Sequence, residues 1–133
     1  MIPRLSTEDT ALFICDIQGC FLKTIYGIDE LLDSASCLMQ GARILNIPCV
    51  ITEQYPERLQ HTGIHIFVKW RIVDSLQPYI QETNSQKAYP VFSKVDFTMC
   101  TKQVCDYLDQ HFTNIKNIII CGMEVYVDTL YYL

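Results

Sequence analysis

Apolar positions along the chain follow two different periods, and their alternation predicts the architecture. Ala11-Leu-Phe-Ile-Cys15 is a continuous apolar run that ends on Asp16 and a polar turn through Gln18 and Gly19. A short run of this kind, bounded by turn signals, predicts a strand buried on both faces. Gly27 then interrupts the chain, and Asp29 is placed to cap a helix. Ile28, Leu31, Leu32, Ala35, Leu38, Met39, Ala42 and Leu45 follow with the three- and four-residue spacing of an amphipathic helix. A second apolar run, Cys49-Val-Ile51, closes at Thr52-Glu-Gln-Tyr-Pro56. Strand, helix and strand within ~45 residues make a βαβ unit, with parallel strands and a right-handed crossover.

From Glu57 to Tyr89 the pattern weakens. Val73, Leu76, Tyr79 and Ile80 suit a short helix, closed by the polar Glu82-Thr-Asn-Ser85. The preceding Gly63-Ile-His-Ile-Phe-Val-Lys-Trp-Arg-Ile72 is β-branched and aromatic, and fits either an extra strand or an exposed hairpin arm. As an exposed apolar segment it would invite association. Pro90-Val-Phe-Ser93 predicts a third strand, ending on Lys94. Val104, Tyr107, Leu108 and Phe112 then share one helix face. Asn117-Ile-Ile-Ile-Cys121 predicts a fourth strand, expected to be central or at least covered on both faces. Gly122-Met-Glu124 turns the chain into a last predicted helix, Val125 to Leu133. With no repeat, linker or low-complexity segment, residues 1–133 are expected to form a single domain.

Composition narrows the function classes. Hydrophobic residues make up 50% and charged residues 19%, which excludes disorder and points to a well-buried α/β core. A net charge of −5 argues against nucleic acid as the main partner, because phosphate neutralisation needs clustered Lys and Arg. Lys69 and Arg71 flank Trp70 without a wider basic run. The first ten residues have no signal-peptide core and only one basic side chain, Arg4. Seven cysteines then fit a reducing compartment, so a cytoplasmic location is expected, with a mitochondrial one left open. Cys15 and Cys20, and Cys100 and Cys105, are each spaced by five, unlike a C-x-x-C motif. The three histidines are scattered, and neither a metal, a cofactor nor a membrane partner is expected.

Three predicted strand ends carry polar groups: Asp16, the Glu53-Gln54 pair and Lys94. Parallel strands gather their carboxyl ends on one edge, so these groups are expected to meet in one crevice. Asp16 alone is equally an Asp that caps the following turn. A lysine beside it would stabilise its negative charge and ready the pair for proton transfer.

In their order along the chain, four segments resemble the isochorismatase-like (cysteine hydrolase) family. They are Phe13-Ile-Cys-Asp16-Ile-Gln18, Thr52-Glu-Gln-Tyr-Pro56, Phe92-Ser-Lys94-Val-Asp-Phe97-Thr-Met99 and Cys121-Gly-Met-Glu124. The chain is most similar to the eukaryotic isochorismatase domain-containing proteins. The resemblance implies a three-layer, doubly wound α/β fold with a parallel sheet, and an Asp–Lys–Cys triad acting on small amides or imides. Asp16 matches the family's acid and Lys94 its lysine. Gln18, Phe21, Glu53, Gln54 and Phe97 are the expected substrate contacts. The nucleophilic cysteine of the family lies six residues after the glycine of the strand-4 turn, and here that position is Asp128.

A carboxylate is a far weaker nucleophile toward amides than a thiolate, so cysteine-type covalent catalysis should be lost. Cys121, at the end of a buried strand, is expected to be packing rather than a substitute. Family members that cleave the vinyl ether of isochorismate work through the aspartate as general acid. Asp128 beside Asp16 would place two carboxylates together, an arrangement that suits acid catalysis. The family pattern also marks 63–72 as an insertion and implies that the last strands of the family fold are absent. Two functions stay open: a hydrolase of small molecules, or a catalytically inactive, truncated member that binds or interacts, with a homo-oligomer compatible with either. A nucleotide-binding module is the weaker third, since no G-x-G-x-x-G follows the first strand.

Overall fold

A computed structural model of the chain describes residues 4–19, 22, 25–54, 76–81 and 87–123. Its centre is a four-stranded, all-parallel sheet in the order β3-β2-β1-β4. The strands are β1 (Thr10–Cys15), β2 (Cys49–Gln54), β3 (Val91–Lys94) and β4 (Asn117–Gly122). Between them run α1 (Ile28–Ile44), the short α2 (Gln77–Ile80) and α3 (Lys102–His111). The predicted strand at 63–72 and the last helix, 125–133, lie outside the described residues.

β1 is the axis of the fold, and all six of its residues are buried. Alternation along it divides two cores. Leu12 and Ile14 pack with Cys49 and Ile51 of β2 against Ala35, Met39 and Ala42 of α1. Ala11, Phe13 and Cys15 pack with Val50 against Val104 of α3, with Tyr107 and Leu108 alongside. Helix, sheet and helix thus form the three layers that the family resemblance implies.

One local expectation changes. Asp29 does not cap α1: the N-cap is Gly27, in the left-handed region at φ 70°, with no side-chain cap bond. Asp29 and Glu30 lie inside the first turn instead, where carboxylates favour the positive end of the helix dipole. Among the described strands β4 pairs only with β1, and its residues are half-buried, with Ile118 exposed.

That order sets the site. From β1 the chain winds outward through β2 to β3, then returns past them to place β4 on the other side of β1. The reversal lies between β1 and β4, and ligands of open α/β sheets bind at the carboxyl ends of such a switch point.

Candidate active site

Asp16 follows the last residue of β1 and has φ 49°, one of two non-glycine residues at positive φ among those described. Asp tolerates this left-handed region better than most residues. Backbone held in such a conformation recurs at functional sites. The turn seats the side chain beneath neighbouring strands, and Asp16 is only 2% exposed. Its backbone N–H donates to the Thr52 carbonyl at 3.2 Å. The Thr52 hydroxyl donates to Asp16 Oδ1 at 2.8 Å, and Lys94 Nζ meets Oδ2 at 2.8 Å.

Lys94 reaches Asp16 from β3, across β2, a span of about 10 Å between strand axes. A buried ammonium needs acceptors for its three N–H groups. Besides Asp16, Lys94 Nζ donates to Gln54 Oε1 at 2.7 Å and to the Asp96 carbonyl at 3.3 Å. Gln54 Nε2 in turn donates to the Val95 carbonyl at 3.0 Å, which ties the loop after β3 to β2. The pair is therefore buried, hydrogen-bonded and held in one geometry.

The remaining expected site residues separate into three groups. Gln18 is fully buried and works as a splint: its Oε1 accepts from the Gln54 backbone N–H at 2.8 Å, and its Nε2 donates to the Gln54 carbonyl at 3.1 Å. Glu53 lies on the opposite face of the sheet from Thr52, Gln54 and Lys94. There it accepts from the Ser93 hydroxyl at 2.9 Å, in an exposed position. Phe97 stands in the loop after β3, about half exposed at 51%. Phe21 and Asp128 lie outside the described residues.

Thr52 and Gly122 gain roles that the sequence left unassigned. Thr52 is a hydroxyl within an apolar strand, fully buried, and its position in the T-E-Q-Y-P segment was the available signal. Gly122, at φ 150°, passes directly against β1. A Cβ there would lie 2.1 Å from the Cys15 carbonyl oxygen. Met123 N–H donates to that same oxygen at 2.9 Å, so the chain leaves β4 beside Asp16. Cys121 is half-buried, and burial pushes its thiol above the ordinary 9.0, which does not favour a thiolate. Among the described residues no group of three His, Cys, Asp or Glu is placed to hold a metal ion. None of the described helices is long and apolar enough to cross a membrane.

The isochorismatase domain model matches residues 10–130, nearly the whole chain. The chain belongs to the isochorismatase family. Isochorismatase family protein 2A of Dictyostelium discoideum is 35% identical over 130 residues, covering 98% of this chain and 60% of that protein. Isochorismatase domain-containing protein 2 of Danio rerio is 32% identical over 123 residues, covering 92% of this chain and 53% of its own length. The chain therefore spans little more than half the length of these curated relatives. Among solved structures, one described as the MAR1 ribonuclease of Caenorhabditis elegans superposes with a TM-score of 0.75 at 30% identity. The match covers 97% of this chain and 57% of that one. An isochorismatase from Pseudomonas putida shares the fold at 17% identity, with a TM-score of 0.65, covering 95% of this chain and 62% of its own.

Proposed function

We propose that this isochorismatase-family domain is a hydrolase of small amides or imides, with Asp16 as general base and Lys94 as its charged partner. The buried Asp16–Lys94 pair at the carboxyl end of the sheet carries this reading. Thr52 and Lys94 both donate to Asp16, which leaves the carboxylate in the accepting role of a base. With Asp128 at the family nucleophile position, the attacking group is water. Asp16 takes a proton from it, the oxygen adds to the substrate carbonyl, and the Lys94 ammonium stabilises the resulting oxyanion. Of the bonds described above, the 3.3 Å one to the Asp96 carbonyl is the longest and the one a substrate oxygen would replace. Collapse of the adduct expels the amine, which takes the proton from Asp16. Vinyl-ether cleavage is the competing chemistry, with Asp16 as general acid.

Asp128 also favours a second reading, an inactive family member that binds its ligand without turnover. One assay series separates the readings. Wild type, Asp16→Asn and Asp128→Cys are tested against amides, imides and a vinyl ether. Single-stranded RNA joins the panel because the C. elegans neighbour is described as a ribonuclease. The hydrolase reading expects wild-type turnover of an amide or imide, lowered roughly 10²- to 10⁴-fold by Asp16→Asn. Turnover by Asp128→Cys alone assigns the natural chain to binding. Wild-type turnover confined to the vinyl ether or to RNA replaces the amide chemistry, and folded protein inactive in every form removes the hydrolase reading.

A further inference from the structure

The start of α3 is closed by a side-chain cap. Thr101 is the N-cap, and its hydroxyl accepts from the Val104 N–H at 3.4 Å. A capped start brings the residue before the cap against the fourth residue of the helix, where two apolar side chains often pack. Here those two positions hold Cys100 and Cys105. The backbone fixes both of them. Cys100 N–H donates to the Thr98 hydroxyl at 3.1 Å, and Cys105 N–H donates to the Thr101 carbonyl at 3.0 Å.

The two thiols meet across this cap, with Cys105 hydrogen-bonded to the Cys100 side chain. Both are free thiols and both are partly exposed, whereas Cys15 and Cys49 are buried within the sheet. Burial first, then Cys100 and the charges of Asp109 and Asp106, push the Cys105 thiol above its ordinary 9.0. Cys105 therefore keeps its proton at neutral pH, and the first attack on an electrophile falls to Cys100.

We propose that Cys100 and Cys105 are a thiol–disulfide exchange site, which a low-molecular-weight disulfide of the glutathione class closes into an intramolecular disulfide. The Cys100 thiolate attacks one sulfur of RS–SR, forming a mixed disulfide and releasing RS⁻, which takes up a proton. The Cys105 thiol then gives up its proton and attacks the Cys100 sulfur, breaking the mixed bond and releasing the second RS⁻. Two electrons pass from the protein to the oxidant, leaving one protein disulfide and two RSH. With both sulfurs held at the cap, the second step is intramolecular. Closure pins to α3 the end of the loop that follows β3. That loop gives its Val95 and Asp96 carbonyls to Gln54 and Lys94. The exchange site does not rest on the hydrolase reading.

Lys102 lies between the two cysteines, so trypsin places them on separate peptides, 95–102 and 103–116. A disulfide is then what joins those peptides. The full natural chain is equilibrated with reduced and oxidised glutathione, quenched in acid, alkylated, digested and mapped by mass spectrometry. The joined peptides are expected as the main oxidised product of this pair, and dithiothreitol should release them. Their yield at a given glutathione ratio should be about tenfold or more higher for the folded chain than for the chain unfolded in urea. Cys105→Ser should retain one glutathione on Cys100, since the second step has lost its thiol. Glutathione adducts on both cysteines without the joined peptides, a bond from either one to a different cysteine, or equal joining in urea would each overturn the proposal. The natural chain alone decides these outcomes, whether or not the variant folds.

Discussion

Two lysine–aspartate pairs in this molecule share their chemistry and differ in their surroundings. Lys94 and Asp16 meet at the carboxyl end of the sheet with side chains 1% and 3% exposed. Lys102 and Asp106 pair one turn apart on α3 with side chains 87% and 49% exposed. Water screens the second pair and already solvates its members, so contact adds little. The first pair has lost that water, and every donor and acceptor must be supplied by the protein. Contact distance therefore does not rank the two. What differs is the consequence of removing one partner.

The largest effect is expected for Lys94→Met, which leaves the Asp16 carboxylate buried without its cation. Chemical denaturation should show a loss of about 3–5 kcal/mol. Adding Asp16→Asn in the same chain should recover much of that stability, since the buried charge is gone and the amide still accepts from Thr52. Hydrolysis should not return. A double variant as unstable as the single one would mean that packing, not charge, holds this corner.

Thr52→Val is the next step down. It removes one charge-assisted bond to Asp16 while keeping the shape, for an expected loss of about 1.5–3 kcal/mol. A loss under about 0.5 kcal/mol would show that Asp16 is positioned by Lys94 alone.

A smaller effect comes from a buried thiol in place of a buried pair. Burial pushes Cys49, on β2, above its ordinary 9.0, outweighing the opposing pull of Arg43. Below pH 9 both folded and unfolded chains keep that proton. Above it the unfolded thiol ionises while the folded one does not, so stability falls as pH rises. The decrease should reach about 1.4 kcal/mol at pH 10 for this one thiol. Urea midpoints at pH 8 and pH 10 measure it, and Cys49→Ala should flatten the slope even if it lowers both values.

The smallest effect belongs to the surface pair. The bond that Lys102 donates to Asp106, with the charge attraction second, raises Lys102 above the usual lysine value. On the basic side, whatever this pair contributes is present at neutral pH and lost as pH rises past the lysine value, and screening keeps it small. Lys102→Met should leave the thermal midpoint unchanged within error. A clear drop would remove the distinction drawn between the two pairs.

The strands and their polar ends were legible because three of the four runs stop on charged or amide residues, as Cys15 gives way to Asp16 and Ser93 to Lys94. Spacing alone could not choose between Glu53 and Gln54. That choice depends on which face of β2 meets β1 and β3, and register is a property of the assembled sheet. Thr52 was hidden for the same reason, since its hydroxyl matters only once Asp16 turns back beneath it. Gly122 was visible as a turn, but its intolerance of a Cβ appears only when Cys15 stands opposite.

The Gln18 amide, by bonding both backbone groups of Gln54, extends the hydrogen-bond ladder with a side chain. In amide hydrogen exchange, Gln54 should behave as an interior sheet residue only while Gln18 stays docked. Its exchange rate then becomes a local clock for opening of the turn after Asp16, readable without substrate and distinct from global unfolding.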